Sequence, residues 1–529
     1  MKSRDKREWL FWTASALAIG FGIWLRFVDL GSKPLHYDEA LHAYFGFRLA
    51  NTGQYEYYPI LHGPLLFYEI AGVFRLFGAS DATSRYAPAL AGSLMLFAPL
   101  LLRRRWGSVA SICCLFLMSA SPMLAYVSRF ARHDITSLAM TLILVLSTME
   151  FYTTRKTAYV YSAVLAVAVS FVNHELTYIT VLIWLISLSV TTSLSKGGWN
   201  RLRATMLEFE RPLKGALALF LVIALLFYSS FGREPTGVLR AFPSWATPSS
   251  SIGYWITQHG VHRGGQPVYY YFLVLALYEI IPLVLGLTSA AVGLFSQDRR
   301  WKFLSLFTLL TICAYSVAGE KMPWLSVHPL MLLILSTVYP IPRILSLPNR
   351  RPFLIAGAAL IVPVFGFTLF NAARLSLVNA ANPVEMAVYV QTQPAVRSVA
   401  QAIESQRPER VFVDPDLQVS WEWYLRNVQQ QKQLARILNG SEKSALIVTP
   451  TFATELLPPI RTAKRLPLRA WWLPSNGWPG IRALFRYYIY RETWNPLGST
   501  DFLYIPPDAP ELRHAPPVVK SPHRLTERS

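Results

Sequence analysis

Long apolar runs separated by short polar connectors dominate this 529-residue chain as far as residue 375. The runs are about 17–25 residues long, the length that an α-helix needs to cross a hydrocarbon core of about 30 Å. They cover residues 9–28, 84–102, 107–127, 134–152, 157–173, 176–194, 213–231, 268–295, 303–318, 324–341 and 353–375. The pattern predicts an all-α polytopic membrane bundle of about eleven transmembrane helices. No small-residue cleavage site follows the first run, so we expect it to be an uncleaved span.

The connectors between the runs form two sets that alternate along the chain. One set is basic and comprises residues 103–105, 155–156, 196–214, 299–302 and 343–351. The other carries carboxylates and histidines and comprises residues 36–39, 129–134, 173–175, 232–267 and 319–324. Basic connectors face the cytoplasm by the positive-inside rule. We therefore expect a cytoplasmic N-terminus in a cell-membrane protein, with the second set of connectors and the C-terminus on the extracytoplasmic face.

Two shorter segments in the first long connector also have helical apolar spacing. Residues 38–50 and 64–77 are interrupted by Arg48, Glu69 and Arg75. Such segments typically lie in the plane of the membrane interface. An ordinary loop packed on the bundle is the alternative.

The composition changes after residue 376 to that of a soluble domain. Strands are predicted at residues 410–413, 445–448, 485–490 and 501–505, and helices at 394–406 and 421–437. The predicted organisation is a transmembrane domain over residues 1–376, an extracytoplasmic α/β domain over 377–510 and a disordered, proline-rich tail over 511–529.

Composition and charge narrow the function classes. Only 15% of the residues are charged, against about a quarter in soluble proteins. The net charge of +20 lies mostly in the connectors, which argues against nucleic-acid binding. Cys113, Cys114 and Cys313 lie inside apolar runs and are expected to be core residues, not metal ligands or disulfides.

Two carboxylates, Asp38 and Glu39, follow the first span, with His36 beside them. A carboxylate at a membrane boundary can be partly desolvated, which raises its pKa towards that of a general base. The alternative is a helix cap, since acidic residues favour helix N-termini.

Three further connectors of the polar set carry candidate residues. Arg129, Arg132, His133 and Asp134 precede one span, and His174 and Glu175 occupy a tight turn before another. Asp134 offers a second carboxylate and the arginines offer anion contacts. A capped helix with a salt bridge, or a turn that is polar because it is wet, would explain the same residues.

Lys321 is a cation at the mouth of a later span, suited to a phosphate leaving group or to pairing with Glu320. The loop over residues 232–267 mixes Arg263 and other cations with aromatic rings, as sugar and phosphate binding requires, although a solvated loop fits too. Asp414-Pro415-Asp416 is interpreted as a turn and not as a nucleotide-sugar site. The sequence contains no Walker A loop, dinucleotide fingerprint, zinc-type spacing or nucleophile elbow.

The order of these motifs resembles the GT-C superfamily of membrane glycosyltransferases. Leu35–Ala40 and Leu61–Tyr68 are similar to segments of the protein O-mannosyltransferase and aminoarabinose-transferase branch. A closer resemblance is to prokaryotic flippase-activity-associated proteins, a group to which mannosyl transfer is ascribed. It runs through Tyr55-Glu56-Tyr57, His62-Gly63-Pro64, Arg132-His133-Asp134, Asn173-His174-Glu175, Glu320–Trp324 and Trp421–Arg426.

The resemblance implies transfer of a sugar, hexosyl or mannosyl in type, from a polyprenyl-phosphate donor to an acceptor on the extracytoplasmic face. Asp38 would be the general base, Glu39 its orienting neighbour and Asp134 an acceptor-binding acid. The donor and its phosphate would be bound by His36, His62, Arg129, Arg132, His133, His174, Glu175, Arg263 and Lys321. The connector at residues 132–134 lacks the paired acids of the oligosaccharyltransferase branch. That departure favours a metal-independent mechanism and leaves open a divalent metal at Asp38, Asp134 and His174.

Two other functions remain open. A lipid-linked-sugar flippase would place ionisable residues within its spans, and Glu279 is the main such residue. A scaffold protein would use the outer domain to recruit partners and leave the acid pair without a role.

Overall fold

The structure, a computed structural model, describes residues 3–195, 197–241, 250–260, 265–428, 430–431, 443–456, 461–474, 479–507 and 509. The chain divides into two units by internal contacts. The bundle unit comprises residues 1–31 and 45–380, and the sheet unit comprises residues 32–44 and 381–529. The sheet unit thus includes a short N-terminal segment that the sequence analysis assigned to the transmembrane domain.

Helices account for the bundle unit. They are α1 Ser3–Phe27, α2 Tyr37–Thr52 (of which residues 45–52 belong to this unit), α3 Leu65–Phe77, α4 Tyr86–Leu94, α5 Ala98–Ala120, α6 Pro122–Ser128, α7 Asp134–Thr154, α8 Thr157–Phe171, α9 Leu176–Ser193, α10 Gly198–Glu208, α11 Glu210–Tyr228, α12 Thr236–Ala241, α13 Ser251–His259, α14 Tyr270–Tyr278, α15 Leu287–Leu294, α16 Arg299–Val317, α17 Val327–Val338, α18 Ile341–Ser346 and α19 Arg351–Ala373. Short 3₁₀ or π turns lie at Pro59–Leu61, Thr83–Arg85, Met95–Phe97, Pro282–Gly286, Pro323–Ser326 and Arg374–Val378.

Seven helical segments in the described part of the chain are long and apolar enough to cross a membrane. They are Lys6–Phe27, Thr83–Ala120, Asp134–Thr154, Leu176–Ser193, Glu210–Tyr228, Pro323–Ser346 and Arg351–Val378, and two shorter apolar helices are Thr157–Phe171 and Pro282–Leu294. The chain is a multi-pass membrane protein, as the apolar runs predict. The figure of about eleven crossings stays a prediction. Two predicted spans are joined in one 38-residue segment, interrupted at Gly107, whose φ is 76°.

Burial differs sharply between helices of the bundle unit. In α17 nearly every residue is buried, so this helix lies at the centre of the packing. In α19 the large apolar side chains are mostly exposed, for example Phe353, Ile355 and Leu360. A helix that exposes apolar groups over most of its surface is suited to contact with lipid.

A six-stranded mixed sheet forms the core of the sheet unit. Its strands are β1 Gln391–Thr392, β2 Arg410–Val413, β3 Gln430–Gln431, β4 Ser444–Val448, β5 Lys464–Trp471 and β6 Gly498–Ile505, in the order β1-β5-β6-β4-β2-β3. Strand β2 is parallel to β3 and β4, and the other pairings are antiparallel. The helices are α20 Pro394–Gln406, α21 Gln418–Tyr424, α22 Pro450–Leu456 and α23 Ile481–Tyr490, with a 3₁₀ turn at Pro415–Leu417. Phe412, Leu446, Val448 and Ile505 form a buried cluster on the sheet.

The predicted C-terminal α/β fold is confirmed, but several of its elements differ from the prediction, and the short strands β1 and β3 were not predicted. Residues 485–490 were expected to form a strand because they are rich in aromatics, but they belong to helix α23. The Tyr487 side chain is buried there, and its hydroxyl donates to the Val384 carbonyl at 2.9 Å. Strand β5 was not predicted. The predicted helix over 421–437 is observed as Gln418–Tyr424 and is wrong beyond that point, because residues 430–431 form strand β3; residues 429 and 432–437 lie outside the described residues.

Hydrogen bonds hold the N-terminal segment of the sheet unit in place. The Leu35 N–H donates to the Tyr424 hydroxyl at 2.7 Å, and the Gln391 amide donates to the Pro34 carbonyl at 3.0 Å. The Arg397 guanidinium donates to the Lys33 carbonyl at 2.8 Å. The segment that carries the predicted acid pair is therefore fixed by residues that follow it by more than 350 positions.

Candidate active site

The acid pair Asp38 and Glu39 begins helix α2, and its two members differ in role. Glu39 is fully buried and accepts a hydrogen bond from the His36 backbone N–H at 2.9 Å, as in a capping box. The Asp38 N–H donates to His36 Nδ1 at 3.1 Å, so Nε2 carries the proton and faces the Tyr389 carbonyl at 3.0 Å. The Asp38 side chain is 28% exposed. Glu39 thus starts the helix, whereas the Asp38 carboxylate is partly exposed.

The sequence analysis missed Arg469, which lies near this pair in the sheet unit. Its guanidinium lies over the Tyr37 ring, 4.9 Å from the ring centroid. Burial lowers the pKa of Arg469, and the charges of Tyr37 and Asp38 oppose that shift. Arg469 belongs to β5, the strand that was not predicted, so its alternating pattern is the signal that would have found it.

Within the bundle unit, the backbone brings two connectors together. The Gly63 N–H donates to the Asn173 carbonyl at 3.1 Å, and the Leu65 N–H donates to the Val172 carbonyl at 3.0 Å. A Cβ atom at Gly63 would lie 2.4 Å from the Val172 carbonyl oxygen, so only glycine fits there. His62 has a φ of 64°, an uncommon conformation for a residue with a side chain.

Three histidines from three connectors pack around this contact. The rings of His62 and His174 stack with centroids 4.4 Å apart, and Trp255 stacks on His62 at 4.7 Å. His62 Nδ1 lies 2.9 Å from Glu175 Oε2, and His133 Nε2 lies 3.1 Å from the Gly63 carbonyl oxygen. These residues, joined by Asp134 and Arg132, are called the histidine cluster below.

Asp134 connects the histidine cluster to the side chains of Arg132 and His328. Arg132 Nε donates to Asp134 Oδ2 at 3.3 Å, and the same guanidinium lies over the Trp324 ring at 4.5 Å. His328 Nε2 lies 3.8 Å from Asp134 Oδ1. His328 was missed by the sequence analysis, and its position within an apolar run was the available signal.

Burial shapes the electrostatics of the histidine cluster. It raises the pKa of Glu175 to about 7, although His174 works in the other direction. It also lowers the pKa of His174 to about 3, which keeps this imidazole neutral. His174 Nε2 is buried and has no hydrogen-bond partner among the described residues. Leaving a buried polar group unsatisfied costs about 1–3 kcal/mol.

The cations predicted to bind phosphate have backbone partners here. The Arg129 guanidinium donates to the Leu25 carbonyl at 2.9 Å and the Asp29 carbonyl at 3.3 Å, at the end of α1. Lys321 Nζ donates to the Ala318 carbonyl at 2.6 Å, and burial lowers the pKa of this lysine. Arg263 lies outside the described residues.

An apolar groove of about 2270 Å³ runs along the bundle unit between α3, α4, α5, α7 and α8. Arg105 and Glu150, paired at 3.1 Å, line one end of it. The other end reaches Tyr68, Glu69 and Thr136. Thr136 lies in the first turn of α7, which begins at Asp134, so this end of the groove and the histidine cluster lie at the same end of α7.

Residues 61–228, about a third of the chain, match the family model described as dolichyl-phosphate-mannose-protein mannosyltransferase. No curated protein sequence matches the chain. The structure of ArnT from Cupriavidus metallidurans in the apo state superposes with a TM-score of 0.61 at 16% identity, over 86% of this chain and 96% of that one. The chain has the GT-C fold. ArnT bound to undecaprenyl phosphate gives a TM-score of 0.60 at 16% identity, over 84% and 95%. Archaeal AglB from Archaeoglobus fulgidus gives 0.46 at 14% identity, over 79% and 60%, which is too low to support an argument.

The GT-C fold is the fold that the motif resemblance implied. The bundle unit brings together His62, Arg132, His133, Asp134, His174 and Glu175. His36, Asp38 and Glu39 belong to the sheet unit. The catalytic and binding roles assigned to all of these residues stay predictions.

Among the described residues, the group suited to a metal ion is His62, His174 and Glu175, whose ligand atoms lie within 4.8 Å of one another. Of the possible metal ligands named from the sequence, which were Asp38, Asp134 and His174, this group contains only His174. Asp134 is engaged with Arg132, and Asp38 belongs to the other unit.

Proposed function

We propose that this protein is an integral-membrane glycosyltransferase that moves a sugar from a polyprenyl-phosphate donor to an acceptor on the extracytoplasmic face. The observation that carries the proposal is the apolar groove, one end of which lies at the same end of α7 as the histidine cluster. An isoprenoid chain needs an apolar surface open to the bilayer, and its phosphate and sugar need polar groups at the end of that surface. The groove and cluster of the bundle unit supply both.

The comparisons support the same substrate class. The description of the matching family model names dolichyl-phosphate-mannose, and the matching ArnT structure holds undecaprenyl phosphate. Both ligands are polyprenyl phosphates or their sugar derivatives. We propose a hexose of the mannosyl type for this chain, because the family model covers the histidine cluster from His62 to Glu175.

The proposed reaction is displacement at the anomeric carbon. The acceptor hydroxyl gives its proton to Asp38 as its oxygen bonds to the sugar, and the bond from that carbon to the phosphate oxygen breaks. Polyprenyl phosphate leaves with the electron pair, and cations at the donor phosphate offset its negative charge. Glu39 holds the start of α2, so it positions Asp38 through the helix.

The sidedness of the reaction is part of the proposal. All the candidate connectors belong to the polar set, and the basic connectors alternate with them along the chain. The positive-inside rule then places the reaction on the extracytoplasmic face, with the N-terminus in the cytoplasm.

The test is donor consumption by the purified full-length protein in nanodiscs, with radiolabelled polyprenyl-phosphate mannose as the donor and a membrane extract as the acceptor source. Wild-type protein should release polyprenyl phosphate, and Asp38→Asn should lower the rate at least about 100-fold, the lower range for a general base. Asp501→Asn is the matched control, because this carboxylate pairs with the exposed Arg465 in the sheet unit. Equal rates for wild type and Asp38→Asn would overturn the assignment of the base.

A flippase remains the second candidate because Glu279 is a carboxylate within a predicted span. In the structure Glu279 accepts hydrogen bonds from the Ser121 hydroxyl at 2.5 Å and the Met123 N–H at 3.0 Å, at the start of α6. This helix-capping contact accounts for the residue without transport. Movement of a labelled donor across vesicles without its consumption would favour the flippase.

A further inference from the structure

Two imidazoles and one carboxylate converge in the histidine cluster at distances that suit a metal ion. Glu175 Oε2 lies 2.9 Å from His62 Nδ1 and 3.7 Å from His174 Nδ1. Around a tetrahedral zinc ion, with bonds of about 2.0–2.2 Å, neighbouring ligand atoms are about 3.4 Å apart. The shorter distance is that of a hydrogen bond, so an ion would replace the proton between His62 Nδ1 and Glu175 Oε2, and small side-chain rotations would complete the site.

The connectors that carry these ligands are already fixed relative to each other. Backbone hydrogen bonds join Gly63 to Asn173 and Leu65 to Val172, and the Asn173 amide donates to the His133 carbonyl at 2.8 Å. His62 and Glu175 are therefore delivered by neighbouring backbone segments. A site that is built before the ion arrives needs little rearrangement to bind it.

Coordination by His174 would use Nδ1, and the ion would replace the hydrogen bond that this nitrogen accepts from the Leu176 N–H. The Leu176 N–H lies 3.1 Å from Nδ1, so the lone pair of the neutral imidazole is on this nitrogen. Nδ1 is also the ring nitrogen whose distance to Glu175 is given above. Metal ions bind the unprotonated nitrogen of a neutral imidazole.

The carboxylate has a buried oxygen that lacks a hydrogen bond. Glu175 Oε1 has no partner of ordinary geometry among the described residues, although the Tyr57 hydroxyl and the Trp255 indole lie near this carboxylate. The Glu175 side chain is only 7% exposed; its Oε2 lies 2.9 and 3.7 Å from two imidazoles, and it pairs with no described lysine or arginine. Arg132, the nearby cation, is matched by Asp134. A cation can therefore bind Glu175 without displacing an existing lysine or arginine partner.

We propose that His62, His174 and Glu175 bind one divalent first-row transition-metal ion, with Zn²⁺ the best fit to the donor set. Two nitrogens and one carboxylate oxygen are typical ligands of zinc sites that keep a fourth position open. Mg²⁺ and Ca²⁺ prefer sites made of oxygen ligands. The ion would join the connector at His62 to the turn at His174, and its open position would take water or an oxygen of a bound ligand. This proposal stands independently of the sugar-transfer reaction.

The experiment measures metal content in the untagged full-length protein, purified in detergent and dialysed against Zn²⁺ and then against metal-free buffer. Wild type should retain about one equivalent of zinc, and His174→Gln and Glu175→Gln should each retain less than about 0.2 equivalent. His328→Gln is the matched control, because it removes a buried imidazole beside Asp134 and leaves the three ligands intact. A His514→Gln/His523→Gln double variant controls for zinc bound by the C-terminal tail.

Two measurements guard against a trivial loss through misfolding. Replacement of zinc by Co²⁺ in wild type should give the visible absorption of a tetrahedral ion. Stripping with 1,10-phenanthroline should lower the Tm of wild type and of His328→Gln but not that of His174→Gln. Wild type that retains no zinc and gives no cobalt spectrum would overturn the proposal. Equal metal content in wild type and in a well-folded His174→Gln would overturn it too.

Discussion

Glu385 in the sheet unit and Glu175 in the bundle unit are both buried, but they differ in how their carboxylates are hydrogen-bonded. In the sheet unit, Glu385 accepts from Arg491 Nε at 2.7 Å, and the same guanidinium donates to the Tyr488 carbonyl at 2.6 Å. In the bundle unit, Glu175 meets two imidazoles, and one of its oxygens lacks a hydrogen bond of ordinary geometry. Hydrogen bonds satisfy the charged groups of Glu385 and Arg491, whereas one carboxylate oxygen of Glu175 is left without a hydrogen bond of ordinary geometry.

This difference separates a structural ion pair from a candidate site. A buried ion pair is tolerated when hydrogen bonds satisfy both partners, as they do at Arg491. A buried carboxylate and imidazole without full partners lower stability, so they are expected where a ligand completes them. The unusual φ of His62 and the tight backbone contact at Gly63 lie at the same place. We infer that Glu385 serves the stability of the sheet unit and that Glu175 serves binding in the bundle unit.

The largest expected effect comes from breaking the structural pair. Glu385→Ala leaves the buried Arg491 guanidinium without its carboxylate, which should cost about 3–5 kcal/mol of unfolding free energy. Denaturant titration of the full-length protein, followed by limited proteolysis of the sheet unit, measures this. An unchanged midpoint would show that the pair does not carry the stability of the unit.

A smaller loss is expected at the backbone contact of the histidine cluster. Gly63→Ala places a Cβ atom 2.4 Å from the Val172 carbonyl oxygen, so the two connectors must separate, at about 1–3 kcal/mol. Gly72→Ala in α3 is the matched control, because no atom lies within 4 Å of its added Cβ. The control should be neutral or slightly stabilising, since alanine favours helices over glycine. Equal effects of both substitutions on Tm would argue against a tight contact at Gly63.

Filling the groove should affect the reaction more than the fold. Ala139 lines the groove from α7, and Ala139→Phe should narrow it and lower kcat/KM for the lipid donor about tenfold, or about 1.4 kcal/mol. Leu226→Phe, a change at an exposed apolar residue of α11 outside the groove lining, is the control. If Ala139→Phe leaves donor consumption unchanged, the groove does not hold the isoprenoid chain.

The smallest effect is expected at an exposed ion pair. Arg465 and Asp501 lie 2.7 Å apart, but the arginine side chain is 68% exposed. Asp501→Asn should therefore change the unfolding free energy by at most about 1 kcal/mol. A loss as large as that of Glu385→Ala would contradict the contrast between buried and exposed pairs.

Elements governed by local pattern were predictable from the sequence. The apolar runs and helix 394–406 depend on spacing within a few residues, and the structure has them. The misassigned segment 485–490 is an aromatic run whose helical face depends on burial of Tyr487, which a short window does not show. Strand β5 went unrecognised for a similar reason, since its register is set by pairing with β6.

The candidate site was predictable in its residues but not in its contacts. Asp134 and Glu175 were predicted because acidic residues in connectors between apolar runs are conspicuous, whereas His62 was predicted only from the family resemblance. The pairing of His62 with Glu175 spans 113 positions and depends on the backbone contact at Gly63. The difference between the partly exposed Asp38 and the helix-capping Glu39 depends on the start of α2 at Tyr37. A helix cap at this place was only one of two interpretations of the sequence.

The most direct test of the central claim is the rate at which purified full-length protein converts polyprenyl-phosphate mannose, compared between wild type and Glu175→Gln. The substitution keeps the size of the side chain and removes its charge in the histidine cluster. We predict a rate at least about tenfold lower in the variant, the loss of a contact worth about 1.4 kcal/mol in the transition state. Equal rates in the two proteins would contradict the claim that the bundle unit keeps this buried carboxylate for its reaction.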